Sequence, residues 1–372
     1  MFLSGEGIAQ SSDYSFLDTE QGLSNNWVSQ ITQDSLGYIW VGTQYGLNKY
    51  DGYGFESFTH NPNDSTSLIK NWVKSMAHAS DNSFWLGIDY GGVDQFDLTE
   101  QKVKHFEFRT VDNKTVTTIN KIHRTQNGTV YIGSPQGLFR KPADKHAFSQ
   151  INELKILDIA EDSKGSLFFL TSSGVHKLVH GSDQSHEIVA TDKSNQFISL
   201  IADHKDVVWA LRKKDLLQLS HLHGTWNINP IPLENPPVSF LFAQPPLFED
   251  HMHRIWIGGE NGVSILHGDR KTVETIPYSI MVPSHISHCA ALTFFEDKYH
   301  NMWIGTNQGL VFKSSFKQRF SKFAVPENSL NDKTVREFIE IEGKLWVASA
   351  NGLYTINLDL PHASPQKVLD SQ

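Results

Sequence analysis

The stretch from Ile31 to Leu47, ITQDSLGYIWVGTQYGL, decides the fold because the rest of the chain repeats it. It predicts a strand, a turn from Asp34 to Gly37, a strand that carries Trp40, and a second turn before a third strand. The same pattern returns around seven further aromatic anchors, which are Trp85, Tyr131, Phe168, Trp209, Trp256, Trp303 and Trp346. The spacings of 45, 46, 37, 41, 47, 47 and 43 residues indicate one supersecondary unit that occurs eight times.

Two positions around the anchors carry the same residue types in most units. Six residues before the anchor stand the aspartates Asp34, Asp162, Asp203, Asp250 and Asp297, whose carboxylates can bind the amides of a turn. Six residues after the anchor, glycine occurs in seven of the eight units. The segments between the turns alternate with period two and show no helical periodicity, so the chain is predicted to be all-β.

Units of about 45 residues with one large aromatic each predict a single β-propeller of four-stranded blades. A single blade beside a closed ring would have both of the blade's faces exposed to solvent. We therefore expect one ring of eight blades, with seven blades and a remnant as the alternative. The anchors are expected to fill the space between blades. The stretch from Tyr14 to Leu17 resembles the outer strands of later units, so we expect it to join the last unit and close the ring.

The composition is that of a chain with a large core, because 39% of its 372 residues are hydrophobic and 20% are charged. We expect a disordered or tag-like N-terminus at residues 1–11, the propeller at residues 12–360, and a tail or last outer strand at residues 361–372. A net charge of −9 argues against nucleic acid as a partner. No apolar run is long enough to span a membrane, so we expect membrane attachment only through missing parts of a longer receptor.

The sequence points to neither catalysis nor a cofactor. The turn from Asp34 to Trp40 resembles the Asp-box of sialidase propellers, but the eight arginines recur at no fixed position where they could clamp a carboxylate. His251, His253 and the segment from His285 to Cys289 contain metal-ligating residue types without a set of four. We therefore expect no catalytic residues, no metal and no cofactor.

Tryptophans outside the anchor register mark a candidate ligand face. Trp27 and Trp72 stand thirteen residues before an anchor, where the outer strand of one blade passes into the inner strand of the next. In a propeller these connections share a face with the loops between the second and third strands. The candidate ligand-binding residues on this face are Trp27, Gln44, Tyr45, Trp72, Asp89, Tyr90, Gln136, Glu260, Asn261, Asn307 and Gln308. In the alternative interpretation the tryptophans cap the core and the amides only complete turns.

Three segments resemble the two-component regulator propeller repeat: Gln33 to Gly52, Asp297 to Leu310, and the lead-in from Gly22 to Asn26. The resemblance covers nearly the whole chain and is weakest from about residue 150 to 235. It implies the periplasmic sensory part of a membrane-anchored receptor, whose output is usually a histidine kinase or a cyclic-di-GMP enzyme. Such receptors usually carry two propellers of about seven blades each and a small sandwich domain, and the eight units of this chain depart from that pattern.

The resemblance thus implies a non-catalytic, periplasmic, ligand-sensing propeller of a bacterial receptor. Because several relatives in this family respond to carbohydrates released from polysaccharides, the expected ligand is a glycan fragment or another small polar molecule. A second propeller or a homodimer is the expected protein partner. A protein-interaction scaffold is the alternative function, and a propeller glycosidase or lyase is a further one.

Overall fold

The repeats form short antiparallel strands in four-stranded sheets. The computed structural model of the chain describes residues 14–80, 82–179, 182–192, 194–222, 224–237, 246–315, 335–349, 352–357 and 366–370. In this part of the chain there are eight four-stranded sheets, two short 3-10 turns (Thr19–Gln21 and Tyr278–Ile280) and no α-helix. The chain divides into a first unit, Met1–Ser315, with sheets 1 to 7, and a second unit, Phe316–Gln372, with sheet 8. The N-terminus expected at residues 1–11 lies outside the described residues.

Each sheet is formed by strands that follow one another in the chain, and sheet 7 also takes up the N-terminal strand. Sheet 1 consists of β2 (Val28–Gln33), β3 (Ile39–Thr43), β4 (Gly46–Tyr50) and β5 (Phe55–Phe58). Sheet 2 consists of β6 (Val73–Ser80), β7 (Ser83–Ile88), β8 (Gly92–Asp97) and β9 (Val103–Phe106). Sheet 3 consists of β10 (Lys121–Arg124), β11 (Val130–Ser134), β12 (Gly137–Lys141) and β13 (Ser149–Asn152). Sheet 4 consists of β14 (Ile156–Glu161), β15 (Leu167–Thr171), β16 (Gly174–Leu178) and β17 (Ser185–Ala190). Sheet 5 consists of β18 (Phe197–Ala202), β19 (Val208–Arg212), β20 (Asp215–Leu222) and β21 (Thr225–Pro232). Sheet 6 consists of β22 (Leu247–Glu249), β23 (Ile255–Gly258), β24 (Gly262–Leu266) and β25 (Val273–Pro277). Sheet 7 consists of β26 (Ala291–Glu296), β27 (Met302–Thr306), β28 (Leu310–Lys313) and, beside β28, β1 (Tyr14–Leu17); sheet 8 consists of β29 (Val335–Ile341), β30 (Lys344–Ser349), β31 (Gly352–Asn357) and β32 (Gln366–Asp370).

The seven sheets of the first unit form a closed cycle. The inner strands contact one another in the order β2, β6, β10, β14, β18, β22 and β26, and β26 contacts β2 again. Hydrophobic clusters fill the space between neighbouring sheets: Trp40 of sheet 1 packs edge-on against Phe84 and Phe96 of sheet 2. Trp303 of sheet 7 shares a cluster with Val28 of sheet 1. The predicted place of these anchors between the sheets is confirmed.

The all-β fold and the eight four-stranded sheets are confirmed, but their arrangement differs from the expected single ring of eight. Because sheets 7 and 1 contact each other directly, the cycle of the first unit contains seven sheets, which was the alternative. We had expected the N-terminal strand to join the last unit. Instead, β1 pairs with β28 and therefore belongs to sheet 7. In the second unit the outermost strand of sheet 8 is β32, which pairs with β31.

The recurring aspartates connect the first turn of a sheet to its anchor. Asp34 Oδ1 accepts hydrogen bonds from the backbone N–H groups of Gly37 at 2.8 Å and Tyr38 at 2.9 Å, as the turn pattern predicts. Asp34 Oδ2 accepts the indole N–H of Trp40 at 2.8 Å. Three further pairs repeat this bond: Asp203 with Trp209, Asp250 with Trp256, and Asp297 with Trp303. One carboxylate thus holds both the turn and the buried indole side chain of the anchor tryptophan.

A glycine two residues after the anchor permits the close approach of neighbouring sheets. At Gly305, a Cβ atom would lie 2.5 Å from Val28 Cγ1 across the junction of sheets 7 and 1, and 2.6 Å from Thr293 Cγ2. Both neighbours are buried β-branched side chains with little freedom to move. The sheets therefore depend on the missing side chain at this position.

Replacing Gly305 by valine is expected to destabilise the first unit by about 1–3 kcal/mol, because overpacking a tight core forces side chains off their preferred rotamers. Urea unfolding followed by tryptophan fluorescence measures the change. Gly54→Val is the matched control, since a Cβ at Gly54 meets no atom within 4 Å. An equal effect of both substitutions would show that the junction between sheets 7 and 1 is not tightly packed.

Candidate functional site

The inner strands of sheets 1 to 7 surround a central cavity of about 840 Å³. It extends from residues at the start of the inner strands, such as Trp27 and Trp72, to residues at their far end, such as Thr32 and His78. Ligand pockets commonly measure about 300–1,000 Å³, so the cavity can hold a small molecule. Every sheet of the first unit contributes to its wall.

A β-bulge near the start of the inner strands brings polar residues to the cavity wall. At a bulge two residues of one strand oppose a single residue of its partner, which redirects side chains. In sheet 1 the pairing shifts between Val28 and Gln30, and in sheet 2 between Val73 and Ser75. The same shift occurs in sheets 4, 5 and 7. The polar residues beside these shifts line the cavity: Ser29, Gln30, Lys74, Ser75, Asp158, Ser199 and Thr293.

Asp89 is a buried carboxylate on the cavity wall beside the amino group of Lys74. The residue is 5% exposed, and its Oδ1 has no hydrogen-bond donor among the described residues. Lys74 Nζ lies 3.6 Å from this oxygen, 3.5 Å from Asn120 Oδ1 and 5.7 Å from the centre of the Trp72 ring. A buried carboxylate oxygen is costly to leave without a donor. Asp89 can therefore accept a hydrogen bond from a hydroxyl or amino group in the cavity.

A second polar group on the wall joins sheets 3, 4 and 5. Lys121 Nζ lies 3.1 Å from Asp158 Oδ1. Asp158 Oδ2 accepts hydrogen bonds from the Ser199 hydroxyl at 3.0 Å and from the Leu200 backbone N–H at 2.9 Å. Unlike Asp89, Asp158 has hydrogen-bond partners in the protein, so it holds Lys121 in place at the wall.

Aromatic rings stand where the connections between sheets meet the loops between second and third strands. Trp27 and Trp72 are half-buried, and their carbonyl oxygens accept the N–H groups of Gln44 at 3.2 Å and Asp89 at 2.9 Å. Tyr90 is 70% exposed and lines the same cavity. This end of the cavity therefore combines aromatic faces with a carboxylate and an amino group.

The loops of sheets 1 and 2 differ by one residue, and of these two loops only that of sheet 2 lines the cavity. Strands β7 and β8 pair at Ile88 and Gly92 and are joined by three residues, whereas β3 and β4 are joined by two. Tyr90 adopts a left-handed φ of 57° in the longer loop. Tyr45, the equivalent residue in sheet 1, is exposed but does not line the cavity.

Four of the eleven candidate residues line the cavity, namely Trp27, Trp72, Asp89 and Tyr90. The other seven lie in loops outside its wall: Gln44, Tyr45, Gln136, Glu260, Asn261, Asn307 and Gln308. Several of these complete turns through their backbone N–H, such as Gln308 with the Thr306 hydroxyl at 3.0 Å. Contact of these seven residues with a ligand stays a prediction.

The sequence analysis missed Lys74, Asn120, Lys121, Asp158 and Ser199, which the inner strands bring to the cavity. A signal for them existed in the spacing of the apolar residues. Val28 and Ile31 are both buried although they lie three residues apart, which strict alternation in a strand does not allow. An odd spacing of this kind indicates a bulge, and polar residues within it face away from the core.

Among the described residues, the segment from His285 to Cys289 does not bring three metal-ligating atoms together. His285 and His288 are exposed, and Cys289 packs against the core between sheets 6 and 7. Burial raises the pKa of the Cys289 thiol to about 11, which disfavours the thiolate that binds metals.

Comparison with known proteins finds a family match for the first repeat. Residues 22–45, which include Trp27, Asp34 and Trp40, match the family described as two component regulator propeller. A stretch of 62 residues is 47% identical to histidine kinase P4 of Formosa agariphila and covers 16% of this chain and 4% of that protein. The chain therefore matches only a small part of that kinase.

Solved structures share the fold of the chain. The extracellular domains of two hybrid two-component systems from B. thetaiotaomicron match with TM-scores of 0.69 and 0.65 at 21% and 19% identity. The matches cover 96% and 92% of this chain but 49% and 46% of those domains, so the chain spans about half of their length. Virginiamycin B lyase from Staphylococcus aureus matches with a TM-score of 0.60 at 13% identity, over 80% of this chain and 97% of the lyase.

The β-propeller fold of this chain is thus shared with extracellular domains of two-component systems and also with a lyase. Among the described residues, no helix has the length and apolar character needed to cross a membrane.

Proposed function

We propose that the chain is the extracytoplasmic, periplasmic sensing region of a bacterial transmembrane signalling receptor. In this proposal it binds a small polar ligand, a carbohydrate, in the central cavity and does not transform it. The match to the two-component regulator propeller and to a histidine kinase supports the sensory role. The likeness of the fold to extracellular domains of hybrid two-component systems supports the location.

The observation that carries the ligand proposal is the buried Asp89 Oδ1, which accepts no hydrogen bond among the described residues and lies near Trp72 in a cavity of about 840 Å³. Carbohydrates present hydroxyl groups, which donate to carboxylates, and apolar ring faces, which pack on aromatic side chains. Lys74 and Asn120 add a donor and an amide within reach of the same point. A sugar ring on Trp72 could therefore make hydrogen bonds to all three polar groups.

Binding in this cavity would contact several sheets at once. Lys74 and Asp89 belong to sheet 2, Asn120 adjoins β10 of sheet 3, and Trp27 adjoins β2 of sheet 1. A ligand can shift a receptor between two states only by the difference in its affinity for them. We infer that the ligand signals by favouring one relative placement of these sheets, which the rest of the receptor would transmit.

The proposal is tested by titrating the chain with oligosaccharide pools from polysaccharide digests, followed by calorimetry and thermal unfolding. Trp72→Ala is expected to weaken binding at least about tenfold, which corresponds to about 1.4 kcal/mol, with little loss of stability because the ring is half-buried. Tyr53→Ala, in the connection between β4 and β5, should leave the affinity unchanged, because Tyr53 is 98% exposed and lies outside the cavity. Mass spectrometry of the recovered sugar should show no cleavage, and turnover would instead favour a lyase or glycosidase.

A further inference from the structure

Two clusters of histidine and glutamate repeat in neighbouring sheets, at the opposite end of the inner strands from Trp27 and Trp72. The first, called the His204 cluster, consists of His204, Glu249 and His253; the second, called the His251 cluster, consists of His251, Glu296 and His300. Each member of the second follows its counterpart by 47 residues. Neighbours in sequence are separated in space, because His251 and His253 belong to different clusters.

In each cluster two imidazole rings meet one carboxylate oxygen. His204 Nδ1 lies 2.5 Å and His253 Nδ1 lies 3.6 Å from Glu249 Oε1. In the His251 cluster, His251 Nδ1 contacts Glu296 Oε1 directly and His300 Nδ1 lies 3.4 Å from the same atom. The two rings of each cluster are stacked, with centroids 3.5 Å apart in the first and 3.9 Å in the second.

The glutamate of each cluster is held in place from behind. Glu296 Oε2 accepts the backbone N–H of His251 at 2.8 Å, and Glu249 Oε2 accepts that of His204 at 2.8 Å. The glutamate side chains are 10% and 15% exposed, respectively. The other oxygen of each carboxylate is thus presented to the histidines with little freedom to move. A preformed, fixed ligand is what a metal site needs.

The second histidine of each cluster stands at a turn position with a left-handed backbone. His253 has φ of 61° and His300 has φ of 64°. Glycine fills the equivalent position in sheets 1 and 4, at Gly37 and Gly165, where φ is also positive. The turn geometry favours glycine, so the imidazole at this place is not required by the fold.

We propose that these clusters bind a divalent transition-metal ion, with Zn²⁺ as the representative ion and the His251 cluster as the tighter site. Two imidazoles and one carboxylate are ligands that Zn²⁺ accepts, with water in the remaining position. Ligand atoms of a tetrahedral zinc site lie about 3.3 Å apart when the bonds are about 2.0–2.1 Å. The separations of 3.4 and 3.6 Å already fit, and the shorter pair in each cluster needs to open by less than about 1 Å.

Solvent exposure and local charge indicate which of the two clusters binds the metal ion more tightly. The rings of His251 and His300 are 40% and 54% exposed, so an ion can reach them from solvent. In the His204 cluster, Arg270 Nη2 lies 3.5 Å from Glu249 Oε1, and this guanidinium opposes a cation there. No lysine or arginine of the described residues forms an ion pair with Glu296.

An ion in the His251 cluster would join sheets 6 and 7. His251 lies in the turn after β22, while Glu296 ends β26 and His300 lies in the turn that follows it. Metal binding would therefore stabilise the closed cycle of sheets in the first unit by holding two neighbouring sheets together. This site is independent of the ligand proposed for the central cavity.

The test uses the full chain without a histidine tag, stripped with chelator and titrated with ZnCl₂ by calorimetry and with CoCl₂ by visible absorption. The wild type is expected to bind Zn²⁺ saturably, to give the d–d bands of cobalt bound to nitrogen and oxygen, and to unfold at a higher temperature with Zn²⁺. His300→Ala is expected to abolish the tighter site and His253→Ala the weaker one. His123→Ala is the matched control, because His123 contacts Glu161 at 3.2 Å in a cluster with one imidazole only.

The Glu296→Gln substitution distinguishes an effect on metal affinity from an effect on folding stability. Gln33, the counterpart of Glu296 in sheet 1, accepts the backbone N–H of Lys298 at 2.9 Å, so a glutamine at residue 296 can keep the link between the sheets. We expect Glu296→Gln to unfold as the wild type does without metal but to lower the Zn²⁺ affinity at least tenfold. The proposal is overturned if the wild type shows no saturable Zn²⁺ binding, or if His300→Ala and Glu296→Gln both bind as the wild type does.

Discussion

Asp34→Ala is expected to lower the free energy of unfolding of the first unit by about 3–5 kcal/mol. The substitution removes a charged acceptor from two backbone N–H groups of the turn, at Gly37 and Tyr38, and from the indole N–H of Trp40. Bonds to charged groups contribute about 1.5–3 kcal/mol each, and a buried donor without a partner costs about 1–3 kcal/mol. Asp34 is 7% exposed, so water cannot easily replace the lost acceptor. Guanidinium unfolding measured by circular dichroism gives the change.

Asp162→Ala is the matched control for the indole bond. Asp162 is 6% exposed and accepts the backbone N–H groups of Lys164 at 3.0 Å and Ser166 at 2.7 Å, as Asp34 does in its own turn. Its anchor is Phe168, whose ring has no N–H. We expect Asp162→Ala to cost about 1–3 kcal/mol less than Asp34→Ala. Equal losses would show that the turn, and not the indole, accounts for the effect.

The repeat could be predicted from the sequence because turns and anchors depend on residues close together in the chain. Asp34 and Gly37 determine a turn within four residues, and an aromatic residue at a regular spacing predicts one sheet after another. The number of sheets in the ring could not be predicted in this way. It depends on whether β26 meets β2, a contact between residues more than 250 positions apart, and every repeat offers the same apolar edge.

The candidate site could be predicted only in part, for a similar reason. Trp27 and Trp72 stood out because tryptophan is rare outside the anchor register. Lys74 and Asn120 did not, since a polar residue in a short strand normally faces solvent. The His251 cluster was hidden because its members come from two sheets, and His253, the near neighbour of His251 in sequence, belongs to the other cluster. Spacing along the chain reports contacts within a sheet and misses those between sheets.

Asp89→Ala is expected to weaken binding of the proposed carbohydrate ligand about 10- to 150-fold while leaving the protein as stable as the wild type or more stable. A hydroxyl group bound to a charged acceptor contributes about 1.5–3 kcal/mol, which converts to this range. Asp89 Oδ1 accepts no hydrogen bond among the described residues. Its ion-pair neighbour Lys74 is 19% exposed and keeps Asn120 Oδ1 at 3.5 Å, so removal of Asp89 leaves no fully buried charge without a partner. Calorimetry on the sugar identified with the wild type measures the affinity.

The opposite effects expected at Asp34 and Asp89 distinguish an aspartate of the fold from an aspartate of the site. Both are buried, at 7% and 5% exposure, but only Asp34 has its carboxylate fully engaged with turn and anchor. Stability gained on removing a polar group, at the expense of binding, is the usual mark of a functional site. Lys74→Met provides the second arm, because it leaves Asp89 without its neighbour at 3.6 Å and should lower stability as well as affinity. A destabilised Asp89→Ala variant that still binds the sugar normally would place Asp89 in the fold and move the ligand elsewhere.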